Sequence, residues 1–499
     1  VLDYEDLGSD QIACIDFLND GEDALVCADV GTGKTVIALT AANEALDHGR
    51  INRWLVLAPL LVADDVWRGE HMEWSHLDHL TVGIAAGEDA DVRKKIIDGG
   101  HEIVVLNYEN LAWLMDEYPI KRKKVKGKTV REYTLPFDGL ICDEVDKLKS
   151  VSSNRFKEFR KQIDCFKMRL GLTGTLLPTE LTELWGQTFV VDGGQSLGRS
   201  FYKFRKEYFY PIDFKQRDWR PFKGTYEAML EKLAGLVYRL KAKGLPEVTL
   251  EISARLALPP KVRAIYKELE DKLFLILEGG HKVDAANKGV LSGKLQQICA
   301  GFSYVEREDC HKCGHTIVLQ ETGKRRCAKC NTLAKPLAVW HSRDKFDWLD
   351  RELAEAKREG KQVLVFYHFR EELDEILRRY PDMHYLSGVS RKKGRESVLL
   401  WNTGRLPYLA LHPMSAGHGL NLQKSHAHEI RALTMPWSGG MFKQLAGRLA
   451  RRGNPSKFVN VRTAVFEGTI DEDVIAKVRE RLDTLDAFLD DIEAWQNAA

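Results

Sequence analysis

Apolar residues in this chain fall into two kinds of run. The first kind is short and unbroken: Ala24 to Cys27, Trp54-Leu55-Val56-Leu57-Ala58-Pro59, Glu102-Ile103-Val104-Val105-Leu106-Asn107 and Gly139-Leu140-Ile141-Cys142-Asp143. The second recurs at helical spacing between them, beginning with Val36-Ile37-Ala38-Leu39-Thr40-Ala41-Ala42. Unbroken runs are what strands buried on both faces require, and helical stretches between them are the crossovers of a parallel sheet. The pattern predicts an α/β fold from Leu7 to about Thr188. Ligands of such sheets sit beyond the carboxyl ends of the strands.

From Phe201 to about Ala300 the pattern becomes mostly helical and mixed in charge, with a helix predicted from Lys261 to Glu278 after Pro259-Pro260. After Trp340 the α/β pattern resumes. Lys361 to Tyr367 and Tyr408-Leu409-Ala410-Leu411 read as strands, Arg370 to Tyr380 as a helix, and Phe458 to Phe466 as a closing strand. An acidic helix from Asp471 to Trp495 follows. The predicted division is 1–200, a first sheet domain; 201–300, a helical insertion; 301–337, a cysteine-bearing insertion; 338–470, a second sheet domain; and 471–499, a C-terminal helix.

Candidate chemistry sits where strands end. After the strand at Ala24 to Cys27 comes Ala28-Asp29-Val30-Gly31-Thr32-Gly33-Lys34-Thr35, then a helix. That is the layout of a phosphate-binding loop, except that Ala28 stands where the usual pattern has glycine. Backbone N–H groups of Gly31, Thr32 and Gly33 would cradle phosphates, helped by the helix N-terminus. Lys34 would reach the terminal phosphates, and Thr35 would ligate Mg²⁺. Asp143-Glu144-Val145-Asp146 ends another strand, so Asp143 can hold Mg²⁺ and Glu144 can activate the attacking water. Thr173-Gly174-Thr175 follows Leu170-Gly171-Leu172, and its hydroxyls could link the nucleotide site to a neighbouring surface. In the second sheet domain, Arg448 and Arg451 lie three apart in Gln444-Leu445-Ala446-Gly447-Arg448-Leu449-Ala450-Arg451-Arg452-Gly453. On a helix they would share a face, as a pair delivered across a cleft onto a γ-phosphate.

Cys310-His311-Lys312-Cys313 and Cys327-Ala328-Lys329-Cys330 are separated by thirteen residues, the spacing of a four-thiolate structural zinc site. His315 reads as a solvated turn residue. Lys121-Arg122-Lys123-Lys124-Val125-Lys126-Gly127-Lys128 reads either as a solvated hairpin tip or as a grip on phosphates. Tyr202 to Phe209 mixes aromatic and basic residues, which serves nucleic-acid stacking or interdomain packing equally well.

Composition narrows the setting. At 499 residues with 44% hydrophobic and 29% charged content, the chain exceeds one ordinary core and is globular rather than disordered. A net charge of +1 means that any nucleic-acid contact must come from local basic patches. No apolar run approaches a membrane span, and no signal-peptide pattern opens the sequence, so no membrane is expected. Nine cysteines, four of them in the knuckles, fit a reducing cytoplasmic compartment better than a disulfide framework.

The ordered set Ala28–Thr35, Asp143–Asp146, Leu172–Thr175, Gly417–Leu422 and Gln444–Arg451 resembles helicase superfamily two. Val56-Leu57-Ala58-Pro59-Leu60 with Trp67, Leu181-Thr182-Glu183-Leu184-Trp185, Tyr238-Arg239-Leu240-Lys241, Leu295-Gln296-Gln297-Ile298-Cys299 and Ala416 to Leu422 resemble its Swi/Snf-type helicase-like ATPases. The chain looks like a compact bacterial or phage-like member. The resemblance implies two RecA-like parallel-sheet lobes, here with a helical and a zinc-ribbon-like insertion between them, and ATP in the interlobe cleft. It implies that Gln11 recognises adenine, that Lys34 and Thr35 take the phosphates and metal, and that Arg448 and Arg451 are the arginine fingers. Thr173, Thr175, Gly417, Gly419, Asn421 and Gln444 would couple that site to the nucleic-acid track. Two positions depart from the family: its acidic motif usually ends in His where Asp146 stands, and His418 sits between two glycines.

The resulting expectation is a monomeric ATP-dependent duplex-DNA translocase using ATP, Mg²⁺ and a structural Zn²⁺. A strand-separating or fork-remodelling helicase is the nearer alternative. A nucleotide-gated clamp on DNA or a polymerase is the alternative from another class, and it needs no complete hydrolytic set.

Overall fold

The computed structural model describes residues 1–498 except 30, 126–127, 175, 177–180, 213–215, 217–218, 242–243, 279–284, 305–306, 310–311, 314, 319–328, 331–337, 413–420 and 452. The first segment contains β1 (Asp23–Ala28), β2 (Trp54–Ala58), β3 (Val82–Ile84), β4 (Ile103–Asn107), a hairpin of β5 (Lys121–Val125) and β6 (Lys128–Glu132), then β7 (Gly139–Asp143) and β8 (Met168–Thr173). A small hairpin, β9 (Phe209–Pro211) and β10 (Trp219–Pro221), precedes β11 (Val237–Leu240). Seven of these form a parallel sheet in the order β11-β1-β8-β7-β2-β4-β3. The strands alternate between two cores. Leu25 and Cys27 of β1 face one, with Leu55, Leu57, Leu140 and Cys142. Ala24, Val26 and Ala28 face the other, with Trp54, Val56 and Ile141. Both faces are buried, which is why the sequence reads as unbroken apolar runs.

The second sheet begins with β12 (Glu247–Leu256). After β13 (Phe302–Tyr304), β14 (Arg307–Asp309), β15 (Thr316–Val318) and β16 (Ala338–Trp340) come β17 (Val363–Phe366), β18 (His384–Tyr385), β19 (Tyr408–Leu411), β20 (Glu429–Ala432) and β21 (Phe458–Phe466). Its parallel order is β12-β21-β20-β17-β19-β18. The same alternation holds: Leu364 and Phe366 face one core, Val363 and Val365 the other.

The sheets divide the chain between Leu240 and Glu247, not at residue 200. Residues 201–240 belong to the first lobe, because β11 adds to β1 and Phe204, Tyr208, Met229 and Leu233 join its core. The helices Pro260–Glu278 and Ala285–Cys299 belong to the second, through Val262, Tyr266, Leu295 and Ile298. The expected helical insertion is thus two pieces, and sheet pairing outranks local helical content in defining the lobes. Phe302–Tyr304 (β13) pairs antiparallel with Ala338–Trp340 (β16), and Arg307–Asp309 (β14) with Thr316–Val318 (β15).

The C-terminal helix, Ile470–Ala498, packs on both lobes. Ile470, Val474, Ile475 and Val478 enter the second-lobe core, whereas Phe488 and Leu489 enter the first-lobe core. Tyr226 Oη donates to Asp491 at 2.8 Å, and Lys241 pairs with Asp490 at 2.8 Å. Among the described residues no helix is long and apolar enough to cross a membrane.

Candidate nucleotide site between the lobes

The loop after β1 is shaped by its glycines. Gly31 and Gly33 have φ of +85° and +80°, the left-handed region that side chains avoid. A Cβ on Gly33 would come 2.5 Å from Gln11 Nε2 and displace that amide, although the positive φ is what requires glycine there. Gln11 Nε2 donates to the Thr32 carbonyl at 3.0 Å, and Gln11 Oε1 accepts from the Gly8 N–H at 2.8 Å. Thr32 Oγ1 donates to the Asp29 carbonyl at 2.9 Å. The loop is therefore braced from inside the first lobe. Lys34 opens the helix Lys34–Asp47, and its Nζ donates to the Ala28 carbonyl at 3.1 Å.

Asp143 ends β7, two strands from the loop and separated from β1 only by β8. Trp67 Nε1 donates to Asp143 Oδ2 at 2.9 Å, and Tyr108 Oη donates to its backbone carbonyl at 2.9 Å. Burial and the Glu144 charge push the Asp143 carboxyl above its usual range, opposed by the Trp67 hydrogen bond and Lys34. Glu144 occupies the left-handed region at φ 59°, a conformation that costs a non-glycine residue about 1 kcal/mol or more. One of its carboxylate oxygens is buried without a hydrogen-bond partner. Burial and Glu144 likewise raise the Asp146 carboxyl, and one Asp146 oxygen is also buried without a partner.

The second lobe contributes the segment after the helix Gly439–Ala446, whose N-terminus Ser438 caps. Arg448 and Arg451 do not lie on that helix, contrary to the sequence expectation. Gly447 ends it, and tighter turns follow, with Arg448 N–H donating to Leu445 and Leu449 N–H to Ala446. The turns still carry both guanidiniums to the loop. The Arg451 side chain crosses Gly31, where an added Cβ would lie 3.3 Å from Arg451 Cγ. Arg451 Nε donates to the Gly447 carbonyl at 2.8 Å, and Nη1 donates to Asn421 Oδ1. Burial, then Arg451, pushes Arg448 well below the usual guanidinium range, with Glu144 pulling it back. Burial lowers Arg451 to about 10, again opposed by Glu144. Two crowded, desolvated cations facing one carboxylate form a site that a polyphosphate would relieve.

These groups line one cavity of about 300 Å³ that spans both lobes and includes Lys34, Thr35, Glu144, Gln444, Arg448 and Arg451. Gly31, Gly33, Asp143 and Asn421 also line it. Thr173 is buried at the end of β8, and Gly174 beside it lies next to Lys34. Thr175, Gly417 and Gly419 lie outside the described residues. Sequence reasoning did not foresee the grip of Trp67 and Tyr108 on Asp143, nor the contribution of Val62, Val66 and Glu70 to the cavity wall. The available signal was a phenol directly after the Ile103–Asn107 strand and an indole in the helical stretch that follows Trp54–Ala58, which have to find partners when buried. Of the cysteines, Cys313 and Cys330 are half-buried in turns, whereas Cys310 and Cys327 lie outside the described residues. No group of three or more metal-ligating side chains is found among the described residues.

A glycine-bearing loop with the layout of a phosphate-binding loop, met by two arginines from a second parallel-sheet lobe, is the arrangement of a two-lobed ATPase. Comparison with known proteins agrees: residues 11–301 match the SNF2-related domain, and residues 344–453 match the helicase conserved C-terminal domain. The chain belongs to the SNF2-related family. Protein p41 of the Acyrthosiphon pisum secondary endosymbiont phage 1 is 28% identical, over 95% of this chain and 96% of that protein. The transcription regulatory protein SNF2 of Saccharomyces cerevisiae is 23% identical over 94% of this chain, which spans only 26% of the yeast protein. Among solved structures, the Sulfolobus solfataricus SWI2/SNF2 ATPase core in complex with dsDNA aligns over 96% of this chain and 92% of that one, with 19% identity and a TM-score of 0.40.

Proposed function

We propose that this protein couples ATP hydrolysis to movement along duplex DNA. The carrying observation is that Arg448 and Arg451 of the second lobe complete a cavity whose loop, Lys34 and Glu144 come from the first. Neither lobe holds the whole hydrolytic set. The Gly31–Lys34 backbone and the following helix N-terminus bind the polyphosphate. Lys34 exchanges its Ala28 carbonyl for phosphate oxygens. Glu144, with an unpartnered buried oxygen, takes the proton of the attacking water as it bonds to the γ-phosphorus and ADP leaves. Arg448 and Arg451 donate to the oxygens on which charge grows. Thr35 and the raised Asp143 carboxylate fit Mg²⁺, which when bound neutralises phosphate charge. Gln11 would read adenine by releasing the Thr32 carbonyl, which makes loop shape sensitive to the base.

Hydrolysis opens the cleft, and Thr173, Thr175, Gly417, Gly419, Asn421 and Gln444 pass that motion to the track. Asn421 is suited to this, since its side chain already holds Arg451. DNA is the track that the motif resemblance implies. A monomeric member in the cytoplasm of a bacterial or phage-infected cell is the setting, supported by the match to a phage protein over 95% of this chain. Cys310, Cys313, Cys327 and Cys330 would hold a structural Zn²⁺, supported by their spacing and by the β14–β15 hairpin that brackets the first knuckle.

ATPase measured with duplex DNA, single strands, forks and RNA tests the reading, with triplex displacement reporting movement. Lys34→Ala and Glu144→Gln should each abolish duplex-stimulated turnover; near-normal turnover in either overturns it. Strand release from forks without triplex displacement would favour a helicase instead. Purified protein should carry one zinc per chain, and its absence removes the metal.

A further inference from the structure

Lys121–Val125 of the basic stretch pairs with Lys128–Glu132 in a ribbon with unlike faces. In the β5–β6 ladder Lys121 stands opposite Glu132, Arg122 opposite Arg131, and Lys123 opposite Val130. Residues directly opposite one another share a face, and successive residues alternate. One face therefore carries Lys121, Lys123 and Glu132, with Lys123 Nζ 3.9 Å from a Glu132 oxygen. The other carries Arg122, Lys124 and Arg131, all exposed. Among the described residues no carboxylate lies within ion-pair distance of those three.

The arginine pair is a cost to the fold. Like charges directly opposite each other destabilise a ladder, and an isolated two-stranded ribbon is marginal in water. A bound anion across the pair reverses that sign. Two arginines directly opposite each other, their Cβ atoms about 5 Å apart, can each fork onto a phosphate, and a two-stranded ribbon fits a major groove. Neither Arg122, Lys124 nor Arg131 brings an apolar or aromatic surface, so the face suits backbone charge rather than base stacking. Its position is also distinctive. The ribbon connects the helix Leu111–Glu117 to the start of β7, and Thr134 Oγ1 closes its base on the Pro119 carbonyl at 2.9 Å. It stands where the strands of the first sheet begin, opposite the edge bearing the nucleotide cavity.

We propose that the face formed by Arg122, Lys124 and Arg131 is a second contact for the phosphate backbone of duplex nucleic acid, remote from the ATP cleft. The proposal rests on the nucleic-acid reading above. Duplex affinity is measured against salt concentration for the full chain, for Arg122→Gln/Arg131→Gln, and for Lys121→Gln/Lys123→Gln as an equal charge change on the other face. Each phosphate contact contributes about 0.9 to the slope of log affinity against log salt, so the arginine variant should lose about 2 of slope. The lysine variant should lose less than half of that. Turnover without nucleic acid should stay unchanged, and the arginine variant should melt at the same or a higher temperature. Unchanged affinity and slope in the arginine variant would overturn the proposal, as would equal losses from the two faces. Loss of adhesion to immobilised poly-glutamate with duplex binding intact would also overturn it, in favour of an acidic protein partner. Failure of the unaltered chain to bind duplex at any salt would instead bring down the translocase reading itself.

Discussion

The two lobes build their halves of the nucleotide site in different ways. The first lobe holds its half by internal bonds: Gln11 on the Thr32 carbonyl, Thr32 on Asp29, Trp67 and Tyr108 on Asp143. Its geometry follows from one sheet and its glycines. The second lobe offers two arginines on turns, desolvated against each other and balanced chiefly by Glu144 of the first lobe. On the proposed reading, phosphate binding is a property of one lobe and hydrolysis a property of their contact. That separation suits a motor, because a step requires a site that can be unmade without unfolding either half.

Breaking the contact should have the largest effect. Arg448→Ala should lower turnover by about a thousandfold or more while nucleotide affinity moves only a few fold, read by single-turnover hydrolysis beside equilibrium binding. Equal loss of both would place nucleotide binding in the second lobe as well. Next comes the C-terminal helix, anchored in both cores. Phe488→Ala removes a fully buried ring from the first-lobe side, and thermal or denaturant unfolding should show a loss of about 3–5 kcal/mol. An unchanged first-lobe transition would mean that the helix belongs to the second lobe alone.

Sharper tests address each half separately. Trp67→Phe deletes the donor to Asp143 but keeps an aromatic ring, and should weaken Mg²⁺ dependence of turnover by about 10–100-fold without altering stability much. The smallest effect lies in the second lobe, away from the cleft. Hydrogen bonds from Arg378, followed by those from Arg379, hold Glu375 at about 2. A carboxylate held below its unfolded value contributes stability above that value and loses it as pH falls toward 2. Glu375→Gln should flatten the acid limb of the stability curve while leaving turnover at neutral pH intact.

Some of this was legible residue by residue. The unbroken runs at Ala24, Trp54, Ile103 and Gly139 became strands because burial on both faces leaves no room for alternation. The loop at Gly31–Thr35 and the acidic pair fell at strand ends, as a parallel sheet requires. The lobe boundary was not legible, since β11 and β12 are separated by a few residues yet join different sheets. Partner choice in a sheet depends on residues far along the chain, here β1 and β21. The end of the helix at Ala446 was not legible, because a glycine inside a helix costs only about 1 kcal/mol and so does not by itself mark a terminus.

The sequence by itself therefore determined what is local: which runs are strands, where a phosphate loop can form, and which charges are available. Tertiary structure alone decided what depends on distant partners meeting. It set Arg451 over Gly31, gave Asp143 its Trp67 and Tyr108, and carried one helix from the second core into the first. It also sorted the basic run into one face that shares Glu132 and another, with Arg122, Lys124 and Arg131, that has no carboxylate among the described residues. Side-chain alternation is local, but which residues stand opposite is fixed only when the register is formed.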